Sequence, residues 1–280
     1  MFQRLFLGSS KSLGLRIGLG LTTTTFCYNN YYTTCEPSKD TYHEELRRAL
    51  EPYRKDEQEM RDRWEKDEDG WRKFPLRAWP VYQPDIDQIQ QIRDDITLHQ
   101  CPLQSALEQK QGTDKLSQIC SQKIFEFATA LVFNGLDGQA GLDMYLTLAR
   151  NGHVDGMVAS GVLLTDGFGV EQDEAQGVEW LQKAVEHGSV QGSLELGALL
   201  YRGLPDINLD MDEEKAVEYF EVAAKDNHMG GQFLLADCLL EGCGCEIDVA
   251  RGIPLMYASA EQGHRYARQL IRQYLDQTAT

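Results

Sequence analysis

The sequence predicts an all-α fold, an α-solenoid of about four helix–turn–helix repeats with an N-terminal helical extension. Three observations predict it. Aspartates at 137, 173, 212 and 248 recur at intervals of 36, 39 and 36 residues. Small, large apolar and turn residues follow each aspartate at shared spacings, and such self-similarity marks a repeat architecture. The 280 residues, 42% hydrophobic and 25% charged, have the make-up of an ordinary globular protein, with no run of the ~18 apolar residues a membrane helix needs. The chain divides into a targeting or disordered segment (1–35), a charged helical extension (36–120) and the repeats with a closing helix (121–280).

Residues 1–26 contain Arg4, Lys11 and Arg16 and no acid, so they carry +3 of a total of −17. A basic, Ser/Thr-rich segment ahead of an acidic body has the composition of a targeting peptide. As a helix it groups Phe2, Leu5 and Phe6 with Ser9 and Leu13, and leaves the basic residues largely elsewhere. That is the pattern of a mitochondrial presequence. The expected location is mitochondrial. A secretory signal with Leu13 to Cys27 as its core is an alternative, opposed by Arg16 within that core and by its glycines and threonines. A plastid transit peptide and a disordered tail are the others.

In the extension, Thr41 followed by Glu44 has the form of a capping box. Pro52 is expected to end or kink that helix, and it suits the start of the next. Beyond it Glu57/Arg61, Glu59/Arg63 and Asp62/Lys66 are spaced to pair at i,i+4. Leu46, Leu50, Tyr53, Met60, Trp64 and Trp71 form a thin stripe that buries one side against a neighbour or a partner. Interruptions at Glu57 and Asp67 argue against a long coiled coil. Three prolines make 74–84 an extended connector. Trp71, Phe74, Trp79 and Tyr82 are the candidate partner-binding residues there, docking on the following domain or presenting a linear epitope. A helix from Asp85 to about Gln100, then shorter ones from about 102 and from Asp114, lead into the repeats.

Each repeat column has a physical role. Asp137, Asp173, Asp212 and Asp248 fit N-caps, accepting bonds from the free backbone N–H groups of a helix start. Four residues on stand Gly141, Gly177, Ala216 and Gly252, small enough for a neighbouring backbone to approach. Met144, Trp180, Tyr219 and Leu255 follow at seven, and a pair of mostly small residues at eleven and twelve, all on one helical face. Gly152, Gly188, Asn227 and Gly263, at fifteen, suit a left-handed C-cap. Upstream of each aspartate a second helix ends at Gly135, Gly167, Gly203 or Gly242. Each unit is therefore helix A, a turn, helix B and a second turn. The extra residues around Leu204 to Asn208 fall in a turn, where insertion costs little. The first unit, with its short turn, reads as a cap, and 265 to about 277 as a closing helix. One unit cannot bury its apolar face alone, so the units stack.

The segment Gly161 to Gly188 carries a Gly167-Phe168-Gly169-Val170 turn, then Asp173, Gly177, Trp180 and Lys183-Ala184. It resembles a Sel-1-like repeat, a family related to tetratricopeptide repeats. A second copy matches through Gly197, Tyr201, Gly203, Lys215-Ala216, Tyr219 and Ala223-Ala224, with Asn227 where the family favours Gly. A third keeps Gly242, Gly244, Asp248, Ala258, Ala260 and Gly263, but has Pro254 inside helix B, which implies a kink or a late start. The resemblance covers about 123–280. It implies a protein-binding scaffold.

Other chemistry finds little support. Gly167-Phe168-Gly169 and Gly242-Cys243-Gly244 recur at the repeat turn and follow no strand, so they are not phosphate loops. Asp210, Asp212, Glu213 and Glu214 read as a cap and acidic first turn rather than a cation site. Cys238, Cys243 and Cys245, with His228 and His264 nearby, are the strongest candidates for zinc or redox chemistry. Cys238 nevertheless falls on a buried helix face, and Cys-x-Cys is poor geometry for a simple disulfide. No cofactor, metal ligand set or catalytic grouping is read from the sequence, so no enzyme is expected.

The acidity is concentrated in the repeats: 101–280 hold 12 basic and 27 acidic residues, against 12 and 17 in 36–100. That balance opposes broad nucleic-acid binding. The expected function is a non-enzymatic mitochondrial scaffold or adaptor, an assembly or accessory factor that holds a basic or extended protein partner. The alternative is a structural subunit of a large mitochondrial complex. A metal or redox protein built on the three cysteines is a third reading.

Overall fold

A computed structural model of the protein describes residues 39–66 and 118–278. The chain divides into two units, and the described residues all belong to the second, Lys39–Thr280. Among the described residues of the second there are eleven α-helices and no strand. They are α1 (Lys39–Arg54), α2 (Glu57–Lys66), α3 (Gln118–Phe133), α4 (Gly138–Arg150), α5 (Val154–Asp166), α6 (Glu174–Glu186), α7 (Val190–Arg202), α8 (Glu213–Lys225), α9 (Met229–Glu241), α10 (Val249–Glu261) and α11 (Arg265–Gln277). From α3 to α11 every helix packs on the one before it and the one after it. This is an α-solenoid. Helices α3, α5, α7 and α9 are the A helices, α4, α6, α8 and α10 the B helices, and α11 closes the stack.

A and B helices meet where their side chains are smallest. A Cβ added at Gly177 of α6 would lie 2.8 Å from the carbonyl oxygen of Gly161 in α5, so both helix backbones need the glycines to approach. Around these crossings three apolar clusters run along the array. One joins α3 to α5, with Tyr145 fully buried and its hydroxyl 2.7 Å from Thr129 Oγ1. The middle one centres on Leu181, Leu199 and Phe220. The last one unites α9 to α11 with α1 and α2.

That last cluster settles the stripe in the extension. Leu46, Leu50, Met60 and Trp64 are all buried against the final unit, and Tyr53 stacks on Tyr257 at 4.1 Å. Ion pairs line the seam. Arg61 bonds Asp276 at 2.7 Å, while Arg63 and the Trp64 indole N–H both donate to Glu261, at 2.9 and 3.0 Å. Of the expected local pairs, Glu57/Arg61 forms, at 2.7 Å. Arg63 reaches across to Glu261 because that acid lies at the interface, whereas Glu59 is exposed.

Three local expectations need correction. Helix α1 begins at Lys39, so Thr41 lies inside it rather than capping it. It continues two residues past Pro52, and α2 begins only at Glu57, after a break at Lys55-Asp56. Helix α10 starts on time at Val249 and runs through Pro254. Pro254 is exposed, so water can satisfy the carbonyl its ring leaves unpaired. The insertion after Gly203 forms one 3-10 turn, Pro205–Ile207, closed by paired backbone bonds between Leu204 and Leu209.

Candidate protein-binding surface

The turns between helices position every exposed edge of the array. Each B helix starts at its aspartate: Asp137, Asp173, Asp212 and Asp248 accept from Ala140, Gln176, Lys215 and Arg251 N–H at 2.9–3.0 Å. Each B helix ends in a Schellman turn. In α6, Gly188 N–H donates to Val185 (2.8 Å) and Ser189 N–H to Ala184 (2.9 Å), with Gly188 at φ +79°. Gly152, Asn227 and Gly263 make the same pair of bonds at φ +84°, +58° and +103°. Only Asn227 carries a side chain there, and its Oδ1 accepts from Gln232 at 2.8 Å.

A second set of caps escaped the sequence reading. The residue after each of these turns starts the next helix. His153, His228 and His264 accept through Nδ1 from Gly156, Gly231 and Ala267 N–H at 3.1–3.3 Å, and Ser189 Oγ accepts from Gly192 at 2.9 Å. Each imidazole also touches the preceding A helix. His153 stacks on Phe125, His264 stacks on Phe233 at 4.1 Å, and His228 Nε2 donates to Gln191 Oε1 at 3.0 Å. Burial pushes all three imidazoles below their ordinary pKa, His264 to about 4. They are neutral caps. The detectable signal was a His or Ser sixteen residues after each aspartate.

Two of these histidines are the ones that stood near the cysteines, and their Nδ1 atoms are committed to backbone. Cys238 and Cys243 are buried, Cys245 partly so, and none of the three is in a disulfide. Burial pushes the Cys238 thiol well up, which keeps it protonated and inert. Among the described residues no group of three His, Cys, Asp or Glu side chains is gathered to hold a metal.

A cleft of about 700 Å³ lies between α4, the start of α6 and the 3-10 turn of the insertion. Leu142, Leu146 and Leu164 line its floor, and Glu171, Asp173, Glu174 and Asp206 its rim. Burial, and the neighbouring Asp206 carboxylate, hold Glu174 above the usual carboxylate range, with Arg202 opposing. Trp71, Phe74, Trp79 and Tyr82 lie outside the described residues. No helix among the described residues is long and apolar enough to cross a membrane.

The family described as Sel1 repeat matches residues 154–189, 191–228 and 230–264. Three successive stretches of the array are thus similar to the Sel1 repeat. Each match takes in one A helix and one B helix, α5–α6, α7–α8 and α9–α10, and α3–α4 lies outside them. Similar solved structures include a protective antigen of uropathogenic Escherichia coli, c5321, which displays an SLR fold. It is 22% identical with a TM-score of 0.49, over 64% of this chain and 34% of that one. This chain thus spans about a third of its length. Another is a Sel1 repeat protein from Oxalobacter formigenes, 20% identical with a TM-score of 0.47, over 67% and 77% of the two chains. No curated protein matches. Sel1 repeats typically build a non-catalytic scaffold for other proteins.

Proposed function

We propose that the protein is a mitochondrial adaptor, an assembly or accessory factor without enzymatic activity, whose acidic solenoid holds a basic or extended segment of another protein. The cleft beside α6 carries this reading. It offers an apolar floor of three leucines inside a ring of four carboxylates. Glu174 and Asp206 repel each other across it, so an arriving Lys or Arg relieves an unfavourable interaction as well as forming a new one. The acid excess of the repeats speeds encounter with a basic segment. The location rests on the basic, acid-free stretch 1–26.

The binding test uses the full chain and an extended Arg/Lys-rich peptide with leucine anchors. Affinity is expected to fall about tenfold between 50 and 300 mM salt, an order of magnitude set by screening. It should fall at least as far in a Glu174→Gln, Asp206→Asn variant with unchanged helicity. Equal affinity for the variant refutes the cleft. For location, a chain starting at residue 36 should lose mitochondrial import, and retained import refutes the address.

A further inference from the structure

We infer that the cleft beside α6 takes one arginine side chain of the partner, its guanidinium forked between Glu174 and Asp206. An apolar residue on the same face of the partner's chain sits on the leucine floor. This rests on the reading of the cleft as a site for a basic segment. It goes further by naming the side chain and the element that selects it.

The cleft exists because one junction between units differs from its neighbours. Where the second unit meets the first, the turn Gly167-Phe168-Gly169 lies on the start of α4. A Cβ added at Gly138 would stand 2.8 Å from the Gly169 carbonyl carbon. Where the fourth unit meets the third, Gly244 lies on the start of α8, and a Cβ added there would stand 2.8 Å from Glu214 N. Both contacts set backbone against backbone, and both turn glycines are left-handed, at φ +72° and +68°. The matching position in the third unit is Pro205. Its ring holds φ at about −65°, so the turn cannot fold down in that way. The chain takes nine residues from Gly203 to Asp212, against six from Gly167 to Asp173 and from Gly242 to Asp248, and forms the 3-10 turn. The start of α6 is thus bordered by Asp206 and Ile207 in place of a glycine backbone, and the space between is the cleft.

Two carboxylates from different units meet there incompletely served. Glu174 Oε1 accepts from Gln172 Nε2 at 3.1 Å, while Oε2 is buried and accepts nothing among the described residues. Asp206 is exposed and makes no hydrogen bond or ion pair among the described residues. Arg202 is near enough to act on Glu174 electrostatically, yet it is exposed and pairs with neither acid. A buried oxygen without a donor is costly, so a ligand that supplies the donor gains more than the bond alone. Arginine suits this pair better than lysine. Its planar fork can serve two carboxylates at once, and its weak hydration lowers the cost of lying beside Leu142, Leu146 and Leu164. An ammonium is a compact, strongly hydrated point charge. Residues i and i+2 of an extended segment share a face, so Arg-x-Leu presents its two groups to rim and floor together.

The test measures binding of the full-length protein to a short extended peptide with one Arg-x-Leu in an otherwise uncharged sequence, by fluorescence anisotropy at fixed salt. Replacing that arginine by lysine is expected to weaken binding about tenfold, and neutral citrulline to weaken it further. In an Asp206→Asn chain of unchanged helicity, the preference for arginine over lysine should shrink to about twofold or less. Equal affinity for the arginine and lysine peptides overturns this inference and leaves the basic-segment reading standing. Failure of both peptides to bind overturns the two together. An arginine preference that persists undiminished in Asp206→Asn puts the recognition elsewhere and overturns the inference as well. As a second measurement, removing Pro205–Ile207 restores the six-residue spacing of the other turns and should abolish binding. Binding that survives the deletion overturns the inference, and if the shortened chain does not fold, Asp206→Asn decides.

Discussion

The B helices begin at aspartates whose carboxylates face water, whereas the A helices α5, α7 and α9 begin at His153, Ser189 and His228, and the closing helix α11 at His264, in partly or fully buried ground. Both sets accept one bond from the same place in the first turn. They differ in what the surroundings tolerate. An ionised carboxylate complements the positive end of a helix when water can still solvate it. Buried against the preceding A helix, the same charge would cost several kcal/mol. A hydroxyl or a neutral imidazole supplies the acceptor without the charge. The imidazole adds a flat ring that fills the space beside Phe125 or Phe233.

The largest effect that separates the two sets is expected with pH. His264 takes a proton at about pH 4 in the folded chain and near its ordinary value of about 6.5 when unfolded. Its contribution is therefore complete above pH 6.5 and drains away as pH falls towards 4. Over that window about 3 kcal/mol should be lost, read from denaturant midpoints at successive pH values. His264→Ser, which imports the cap used at Ser189, should remove most of that slope while lowering stability at neutral pH through lost ring packing. An unchanged slope breaks the distinction between the caps.

A smaller effect is expected at the exposed starts. Asp173→Ala and Asp212→Ala should each cost about 0.5–2 kcal/mol, seen as lower melting temperatures. Melting temperatures that do not move would show these bonds to be replaceable by water. The smallest effect belongs to the joint between the two sets. Asn227→Gly relieves a left-handed residue but loses the bond to Gln232, so stability should change by less than about 0.5 kcal/mol. A larger loss would mean that the joint is held by its side chain rather than by its backbone turn.

Much of the fold was legible because caps and crossings are local chemistry. An aspartate, a small residue and a glycine at 0, 4 and 15 specify where a helix starts, crosses and stops. The histidine caps were missed because histidine is a poor predictor of a helix start. Only burial makes its neutral ring the better acceptor. The cleft was legible only in part. Its acids stood out in the composition, but Leu142 and Leu146 come from the unit before Glu174, and Asp206 from the unit after it.

By itself the sequence determined the repeat, its four aspartate-started B helices, the place of the insertion and the concentration of acid in the array. The tertiary structure alone decided that α1 and α2 seal the last unit rather than the first, since a stripe of Leu46, Leu50, Met60 and Trp64 says that something is covered but not what covers it. It also decided that His228 and His264 cap helices through Nδ1. The physical reason is the same in both cases: periodicity and capping act within a few residues, whereas burial is set by whichever distant surface arrives.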